Sequence, residues 1–363
     1  MFEASNTPYV TVNLDQADRN ILHMHEGLCD AKIAHRSHIK THKSLYFAQR
    51  QLHFGAAGIA VSKLSEAEIM AAGGIDDIFI AHPIVSGAKL RRLGDLMRMS
   101  RISLLVNSLP CAAGLSSLAQ RIGVRIPVLI EIDGDLHCGG VDPLKPARAF
   151  AAALRSLSGI EIVGLMHSGT SRMPADTIST LSKSAEKERE ALLQTAALLR
   201  QDAHKMDILS INSPHSPFFP LSLRGLSEAI TGDYIFGDTR FIHNVPLMSE
   251  DQCALRVHTT VVALHDDRNA VLDVGSKTLS CARCQSFPGY GRITGHPDWA
   301  ISELYEEHAI LTAPIFHRLS IGDRIQIIPN HCGETVNLQN ILIGMRGEKP
   351  ERIIQVDARS KTQ

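Results

Sequence analysis

One short basic stretch near the start of the chain determines how the rest is interpreted: His35-Arg36-Ser37-His38-Ile39-Lys40-Thr41-His42-Lys43. Burying cationic side chains costs several kcal/mol unless they are paired. The stretch is therefore either a solvated surface turn or the wall of a polar cavity. In such a cavity the pKa of a lysine falls, and its amine can attack a carbonyl to form a Schiff base. The stretch by itself leaves both interpretations open.

The composition is that of an ordinary globular protein. The 363 residues are 44% hydrophobic and 21% charged, which is enough for two domains or for one barrel with an accessory domain. The formal net charge is -1, so no overall field attracts the chain to nucleic acid or membrane, and we expect neither as a partner. No run approaches the roughly 20 apolar residues of a membrane helix, and the first residues lack a signal-peptide pattern. We therefore expect a cytoplasmic protein.

Apolar strand-like runs alternate with helical segments through the first two thirds of the chain. They recur roughly every 25 to 30 residues, a rhythm typical of a parallel sheet with helical crossovers. About nine such units follow one another from Tyr9 to Phe236, which favours a closed (β/α)₈ TIM-type barrel over residues 1–245. From about Pro246 the strand-like runs lack long helices between them. Residues 246–363 are therefore predicted to form a C-terminal, mostly-β domain.

Polar residues follow several of these predicted strands. Lys40 and His42 follow one, and His167 begins the run after another. The loop Asn212-Ser213-Pro214-His215-Ser216 combines small hydroxyls with exposed amides ahead of a possible helix, which is typical of a phosphate cradle. Because the active site of a barrel lies at the carboxyl ends of its strands, we expect these residues to share one site.

A second polar motif lies in the predicted β domain, in the run from Pro329 to Asn337. If this run is a strand, His331 and Cys332 point to opposite faces and cannot easily share one metal ion. His331 is then a single ligand, a substrate contact or part of a plain polar loop. The cluster Glu306-Glu307-His308 has ligand chemistry too, but such clusters are more often solvated helix ends.

Seven motifs in the chain resemble, in their order, those of the D-threonine aldolase and eukaryotic-type D-serine dehydratase family. They are Thr7-Pro8-Tyr9-Val10, the run from His38 to Lys43, Gly58-Ile59-Ala60-Val61 with Glu66-Ala67-Glu68, Gly232-Asp233-Tyr234-Ile235-Phe236 with Asp238, Asp273-Val274-Gly275-Ser276-Lys277, Glu306-Glu307-His308, and the run from Pro329 to Leu338. The resemblance covers nearly the whole chain. It implies the alanine-racemase fold, in which a (β/α)₈ barrel holds pyridoxal 5'-phosphate and a β domain follows.

The resemblance also implies roles for individual residues. Lys40 corresponds to the Schiff-base lysine, and His331 corresponds to a residue that serves catalysis and binds a divalent metal such as Mn, Mg or Zn. The family usually acts as a homodimer on a small amino acid. The cofactor-binding set implied here, with Arg172 added as a hypothesis of our own, is Lys40, His38, His167, Arg172, Asn212, Ser213, Gly232, Asp233 and Tyr234.

The chain departs from the family pattern at several of these positions. Gly333 stands two residues after His331, where the family has an aspartate or cysteine, and glycine has no ligand atom. This argues against a bound metal. The family usually has an arginine near Cys138 and a tyrosine at the position of Arg172, so Arg172 is a candidate replacement for that arginine.

Three functions remain open on these grounds. The first is a pyridoxal-phosphate-dependent lyase that splits a D-β-hydroxy amino acid by aldol cleavage, giving glycine and an aldehyde through the Lys40 Schiff base. The second is a metal-independent racemase, epimerase or dehydratase, since chemistry at the α-proton needs no activated hydroxyl. The third is a pyridoxal-phosphate-binding protein without catalytic activity. The substrate side chain is not predicted by any of these motifs.

Overall fold

A computed structural model describes residues 6–134, 137, 139–169, 177–244, 246–315 and 319–363. The chain begins with strand β1 (Tyr9–Asn13) and helix α1 (Leu14–Asp30), whose first turn is capped by the Asn13 side chain through the Gln16 N–H. Eight parallel strands then close into a barrel: β2 (Ala34–His38), β3 (Gly58–Val61), β4 (Asp77–Ile80), β5 (Arg101–Val106), β6 (Ile126–Ile132), β7 (Ile160–Ser168), β8 (Ile208–Asn212) and β9 (Glu228–Thr231).

Six further helices connect successive barrel strands and cover the outside of the barrel: α2 (Leu45–His53), α3 (Leu64–Ala72), α4 (Gly87–Leu96), α5 (Leu109–Ile122), α6 (Lys145–Leu154) and α7 (Ile178–Arg200). The barrel strands are almost wholly buried because helices pack on their outer face and side chains fill the lumen. One lumen layer consists of Ala60, Phe79, Leu105, Leu129, Met166 and Ile230. The predicted (β/α)₈ barrel is confirmed.

The remaining strands form one sheet with β1. They are β10 (Leu255–Leu264), β11 (Asn269–Leu272), β12 (Gly291–Ile293), β13 (Ala300–Leu304), β14 (Ala309–Thr312), β15 (Arg324–Pro329), β16 (Ile341–Arg346) and β17 (Lys349–Gln355), with the short helices α8 (Ser276–Leu279) and α9 (Cys332–Leu338) between them. The described strands have the order β11-β14-β13-β12-β15-β10-β1-β16-β17. The predicted mostly-β domain is confirmed as to class.

Strand β1 differs from the prediction, since it pairs with β10 and β16 in this second sheet and not with the barrel. Its alternating sequence indicated a strand but carried no information about its partners. The boundary between the two domains, placed between residues 245 and 246, stays a prediction.

Three local predictions were wrong. The run Gly232–Phe236 is not a strand, because β9 ends at Thr231 and a 3₁₀ turn, Asp233–Ile235, follows. The run after Pro329 is a helix, α9, and not a strand. Residues 306–308 lie in the turn between β13 and β14 and not at a helix end, and Lys277 pairs with Glu306 and Glu307 there.

The amino-terminal end of the lumen is closed by a buried ion cluster. Arg36 on β2 contacts Asp77 at 2.6 Å and Glu228 at 2.7 Å, and Ser210 donates a hydrogen bond to the same Glu228 at 2.9 Å. Burial of this arginine is compensated because two carboxylates accept its hydrogen bonds. Arg36 therefore stabilises the barrel at the end opposite to the site described below.

A second buried polar group lies behind β2, close to α1. His35 is buried there, 5.3 Å from the ring of Tyr234, and neither of its ring nitrogens has a hydrogen-bond partner among the described residues. Burial, with a smaller contribution from the charge of His25, lowers the pKa of His35 from 6.5 to about 3. His35 is thus neutral in the folded protein near neutral pH.

Among the described helices, none is both long and apolar enough to cross a membrane.

The burial of His35 predicts acid-sensitive stability. The unfolded chain binds a proton at this histidine below pH 6.5, whereas the folded chain does not do so until about pH 3. Stability is therefore complete above pH 6.5 and falls with pH, by about 2 kcal/mol between pH 7 and pH 5 from this residue alone. His35→Leu should flatten the slope of unfolding free energy against pH, measured by urea titration. The exposed His23→Gln on helix α1 is the control, and an unchanged slope in His35→Leu would contradict the assignment.

Candidate active site

Lys40 lies at the carboxyl end of β2, in the 3₁₀ turn Ile39–Thr41. The turn is shaped by His38, whose Nδ1 accepts the Lys40 N–H at 3.3 Å and whose Nε2 lies 3.5 Å from the Ser62 hydroxyl. Burial and the neighbouring charge of Lys40 hold the pKa of His38 well below its ordinary value. His38 is therefore a neutral support for the turn, and Lys40 projects from it half-buried.

The other two cationic side chains of the basic stretch, Arg36 and Lys43, already have carboxylate partners. Arg36 belongs to the ion cluster at the far end of the lumen, and Lys43 pairs with Glu66 at 3.0 Å. Burial also lowers the pKa of His42 to about 4, although Gln51 and the Ser44 N–H bind its ring. The stretch is thus mostly buried, with its charged side chains other than Lys40 paired, and is not a solvated surface turn.

The turn after β9 lies against the Lys40 turn. At Gly232 an added Cβ would come within 2.4 Å of the His38 carbonyl oxygen and 2.9 Å of the Thr41 hydroxyl, so only glycine allows this approach. The backbone N–H groups of Gly232, Asp233 and Tyr234 have no hydrogen-bond acceptor within the described part of the chain. Consecutive unpaired N–H groups beside a lysine are a good fit for an anionic phosphate.

The loop after β8 differs from the predicted phosphate cradle. The Ser213 hydroxyl accepts the N–H groups of His215 at 3.3 Å and Ser216 at 3.1 Å, and the Ser213 N–H donates to the Ile230 carbonyl. Pro214 has no N–H. The amides of this loop are therefore already used, and the unpaired amides lie in the 232–234 turn instead. Asn212 stays at the mouth of the barrel, at the end of β8.

Two predicted cofactor residues do not point into the barrel mouth. The Tyr234 side chain is buried behind β2, where its hydroxyl accepts a hydrogen bond from Gln51 at 2.8 Å, and burial raises its pKa. Only the backbone of Tyr234 is available to a phosphate. His167 lies between Met166 and Ser168 on β7, and it lines a cavity of about 130 Å³ with residues of α7. The lumen is occupied by its neighbour Met166. Arg172 and Cys138 lie outside the described residues.

The lumen below the mouth holds a carboxylate at the carboxyl end of a middle strand, where the sequence also placed Asp133 and His137 as candidate site residues. Glu131 on β6 accepts hydrogen bonds from Asn107 at 2.9 Å and from Ser168 at 2.5 Å. Nearby, Asp133 contacts His137 at 2.6 Å. The polar wall of the mouth is therefore continuous from β5 through β7.

His331 lies at the start of α9, over the Lys40 turn. Its Nδ1 accepts the Glu334 N–H at 3.4 Å and so caps the helix. A neutral imidazole that accepts at Nδ1 carries its hydrogen on Nε2, where it can donate a hydrogen bond. Gly333 packs against the same turn, since a Cβ there would lie 3.4 Å from the Thr41 Cα. The helix therefore brings His331 to the mouth of the barrel.

The donors around His331 do not fit a divalent metal. Gly333 has no ligand atom, and Cys332 is fully buried, with burial and then Asp238 raising the pKa of its thiol well above the ordinary value. A histidine that binds a metal through Nε2 must keep its hydrogen on Nδ1, whereas here Nδ1 accepts one. No group of three or more histidine, cysteine, aspartate or glutamate side chains able to hold a metal occurs in the described part of the chain.

Asp233 connects these groups electrostatically. It accepts a hydrogen bond from the Thr41 hydroxyl at 2.5 Å and pairs with Arg240 at 3.0 Å. Burial acts to raise the pKa of Asp233, but the charges of Arg240 and Lys40 outweigh burial and hold that pKa well below its usual range. Asp233 is therefore a permanent carboxylate. Asp238 appeared in the sequence motifs without a role, and nothing in the sequence indicated Arg240.

Two family models match the chain. The alanine racemase N-terminal domain matches residues 12–239, and a serine dehydratase domain matches residues 254–345. The D-threo-3-hydroxyaspartate dehydratase of Delftia sp. is 30% identical over 354 residues, which cover 91% of each chain. The D-threonine aldolase of Arthrobacter sp. is 29% identical, with 98% of this chain and 93% of that protein covered.

The fold comparison agrees with these matches. The crystal structure of D-threonine aldolase from Filomicrobium marinum superimposes with a TM-score of 0.89 at 26% identity, covering 99% of this chain and 97% of that one. Both the barrel with its Lys40 turn and the β domain with its His331 helix lie within the matched regions. The chain therefore belongs to the D-threonine aldolase and D-serine dehydratase-like family of alanine-racemase-fold enzymes, whose cofactor is pyridoxal 5'-phosphate.

Proposed function

We propose that this protein is a pyridoxal-phosphate-dependent lyase that acts on a D-β-hydroxy amino acid, with Lys40 as the residue that joins the cofactor. The observation that carries the proposal is the contact between the Lys40 turn and the backbone at Gly232, beside three N–H groups without acceptors in the described chain. An amine on one turn and an anion cradle on the turn packed against it suit an aldehyde that also bears a phosphate. The relatives that share this architecture are lyases by name.

The residues at the mouth divide the work of the reaction. The N–H groups of residues 232–234 would hold the phosphate, and Lys40 would hold the aldehyde carbon and later carry the α-proton. When bound, pyridoxal phosphate supplies an electron sink for the bond that breaks at the α-carbon. Asp233 stays a carboxylate beside the Lys40 turn and binds that turn through the Thr41 hydroxyl.

The proposed reaction is aldol cleavage to glycine and an aldehyde. It requires a base that takes the proton of the substrate hydroxyl while the bond between Cα and Cβ breaks; Cα then gains a proton. His331 is placed for this task over the Lys40 turn. To act as the base at Nε2, its ring must move its hydrogen to Nδ1 and give up the cap on the Glu334 N–H.

Dehydration is a second candidate, and one observation favours it. Loss of water needs an acid that protonates the leaving hydroxyl, while Lys40 takes the α-proton. A capped His331 already carries its hydrogen on Nε2 and can donate it without leaving its helix position. The products would then be a 2-oxo acid and ammonia, after the enamine formed by elimination is hydrolysed.

Neither reaction, as proposed here, uses a metal ion, because the side chains around His331 and Gly333 do not form a metal site. The homodimer expected from the resemblance stays a prediction.

Replacing the lysine tests the cofactor assignment. In Lys40→Ala we expect the visible absorption band of the bound cofactor to disappear and turnover to fall by at least about 10³-fold, since the covalent attachment is lost. Lys43→Gln is the matched control, because this lysine stands three residues away and pairs with Glu66. The control should keep both the band and the activity. A visible band that survives in Lys40→Ala would refute the role of Lys40.

Product analysis after chelation tests the reaction and the metal together. We expect wild-type protein treated with EDTA to keep its turnover of D-threonine, D-serine or D-3-hydroxyaspartate, because the chain lacks a second ligand at Gly333. Glycine with an aldehyde identifies aldol cleavage, and a 2-oxo acid with ammonia identifies dehydration. Activity that EDTA abolishes and Mn²⁺ restores would contradict the metal-free site. No product from any of these substrates would refute the proposed function.

A further inference from the structure

The two residues to which the proposed reaction assigns proton transfer come from different parts of the molecule. Lys40 follows a barrel strand, whereas His331 begins a helix that is attached to the second sheet. Lys40 and His331 are far apart in the sequence, so the chain between them does not fix the distance between their side chains. The distance between them therefore depends on side-chain contacts that cross from one unit to the other.

The first of these contacts holds the Lys40 turn. Thr41, next to Lys40, donates its hydroxyl hydrogen to Asp233 Oδ1, and the other oxygen of Asp233 accepts from Arg240 Nη2 at 3.0 Å. The Asp233 side chain is 3% exposed, so water does not compete for these hydrogen bonds. The position of the Lys40 turn is thus tied to the guanidinium of Arg240.

The second set of contacts holds the His331 turn. Arg240 donates to Asp238 through Nη2 at 2.7 Å and Nε at 3.1 Å, and Asp238 Oδ2 accepts the Cys332 N–H at 3.1 Å. One residue along, the Thr239 hydroxyl donates to Asn330 Oδ1 at 2.8 Å. Cys332 and Asn330 are the two neighbours of His331. His331 is therefore held from both sides by consecutive residues of the barrel unit.

The charges make this linkage stiff. One guanidinium lies between two buried carboxylates, and burial acts to lower the pKa of Arg240 while Asp238 and Asp233 raise it beyond its ordinary value. Removing either carboxylate leaves part of the arginine's charge uncompensated in a buried place. These contacts tie Thr41 and the Cys332 N–H to the same guanidinium through Asp233 and Asp238.

We propose that Arg240, held between Asp233 and Asp238, is a positioning residue that sets the separation between Lys40 and His331. The inference rests on the proposed function in so far as it concerns a reaction that needs both groups. It assigns to Arg240 no contact with the substrate.

The proposal predicts different effects on two reactions of the same enzyme. Exchange of the α-hydrogen of D-alanine with solvent deuterium requires Lys40 but no group for a hydroxyl, because D-alanine has none. Cleavage or dehydration of a D-β-hydroxy amino acid requires both Lys40 and His331. A change in the position of His331 relative to Lys40 should therefore slow the second reaction and spare the first.

Asp238→Asn is the test variant, since asparagine keeps the shape but removes the charge that holds Arg240. We expect an unchanged visible cofactor band, deuterium exchange of D-alanine within about threefold of wild type, and a lyase kcat lower by about 10- to 100-fold at similar KM. In the protein without cofactor, amide hydrogen exchange should become faster in the segment 330–338.

Glu228→Gln provides the matched control. It also removes one carboxylate from a buried arginine, Arg36, but at the amino-terminal end of the same barrel. We expect it to lower thermal stability while the two reaction rates and the hydrogen exchange of segment 330–338 stay as in wild type.

Three results would overturn the proposal. These are equal losses in the two reactions of Asp238→Asn, an unchanged lyase kcat, or unchanged hydrogen exchange in segment 330–338. Failure of the proposed function is recognised separately, as wild-type protein that binds the cofactor but converts no D-β-hydroxy amino acid. In that event the hydrogen-exchange comparison still decides whether Asp238 holds the His331 turn. If Asp238→Asn does not fold, Arg240→Lys, which keeps the charge but loses the paired hydrogen bonds, is measured in its place.

Discussion

The backbone of Gly232 presses against the His38 carbonyl and the Thr41 hydroxyl, and the rest of the site depends on this contact. It arises because β2 and β9 are neighbours where the barrel closes, with Ser37 opposite Thr231. Parallel strands that are neighbours end at the same edge, so the turn that follows each strand meets the turn that follows the other. A lysine and a row of amides nearly 200 residues apart in sequence are thereby adjacent in space.

The basic stretch around Lys40 illustrates how burial sorts the charges of a segment. Arg36 is buried and therefore has two carboxylate partners, and Lys43 has one. The buried histidines stay neutral, because desolvation lowers the pKa of each of them. Lys40 is only half-buried and forms no salt bridge within the described chain. Its amine is therefore open to a bound ligand, unlike the cationic groups of Arg36 and Lys43.

The sequence predicted those features that depend on local pattern or on motif. The repeat of strand and helix predicted the barrel, and the motif around Lys40 predicted the lysine at its mouth. It did not predict the partners of β1, since alternation specifies a strand but not its neighbours. Tyr234 was assigned to the phosphate as a motif residue, but only the fold shows its hydroxyl on the outer side of β2. Arg240 could not be recognised because its importance lies in contacts with residues distant in sequence.

Gly333 and the cap on α9 are two separate features of one helix end, and they have the same chemical consequence. Without a side chain, Gly333 offers no second ligand and lets the helix approach Thr41 closely. With its Nδ1 facing the Glu334 N–H, His331 keeps a hydrogen on Nε2, which a metal would have to displace. A helix end built in this way holds a proton donor over Lys40 where a metal ligand would otherwise be. In the dehydration alternative, the substrate hydroxyl would be protonated by this imidazole hydrogen, whose position is fixed by the same contacts that fix the helix.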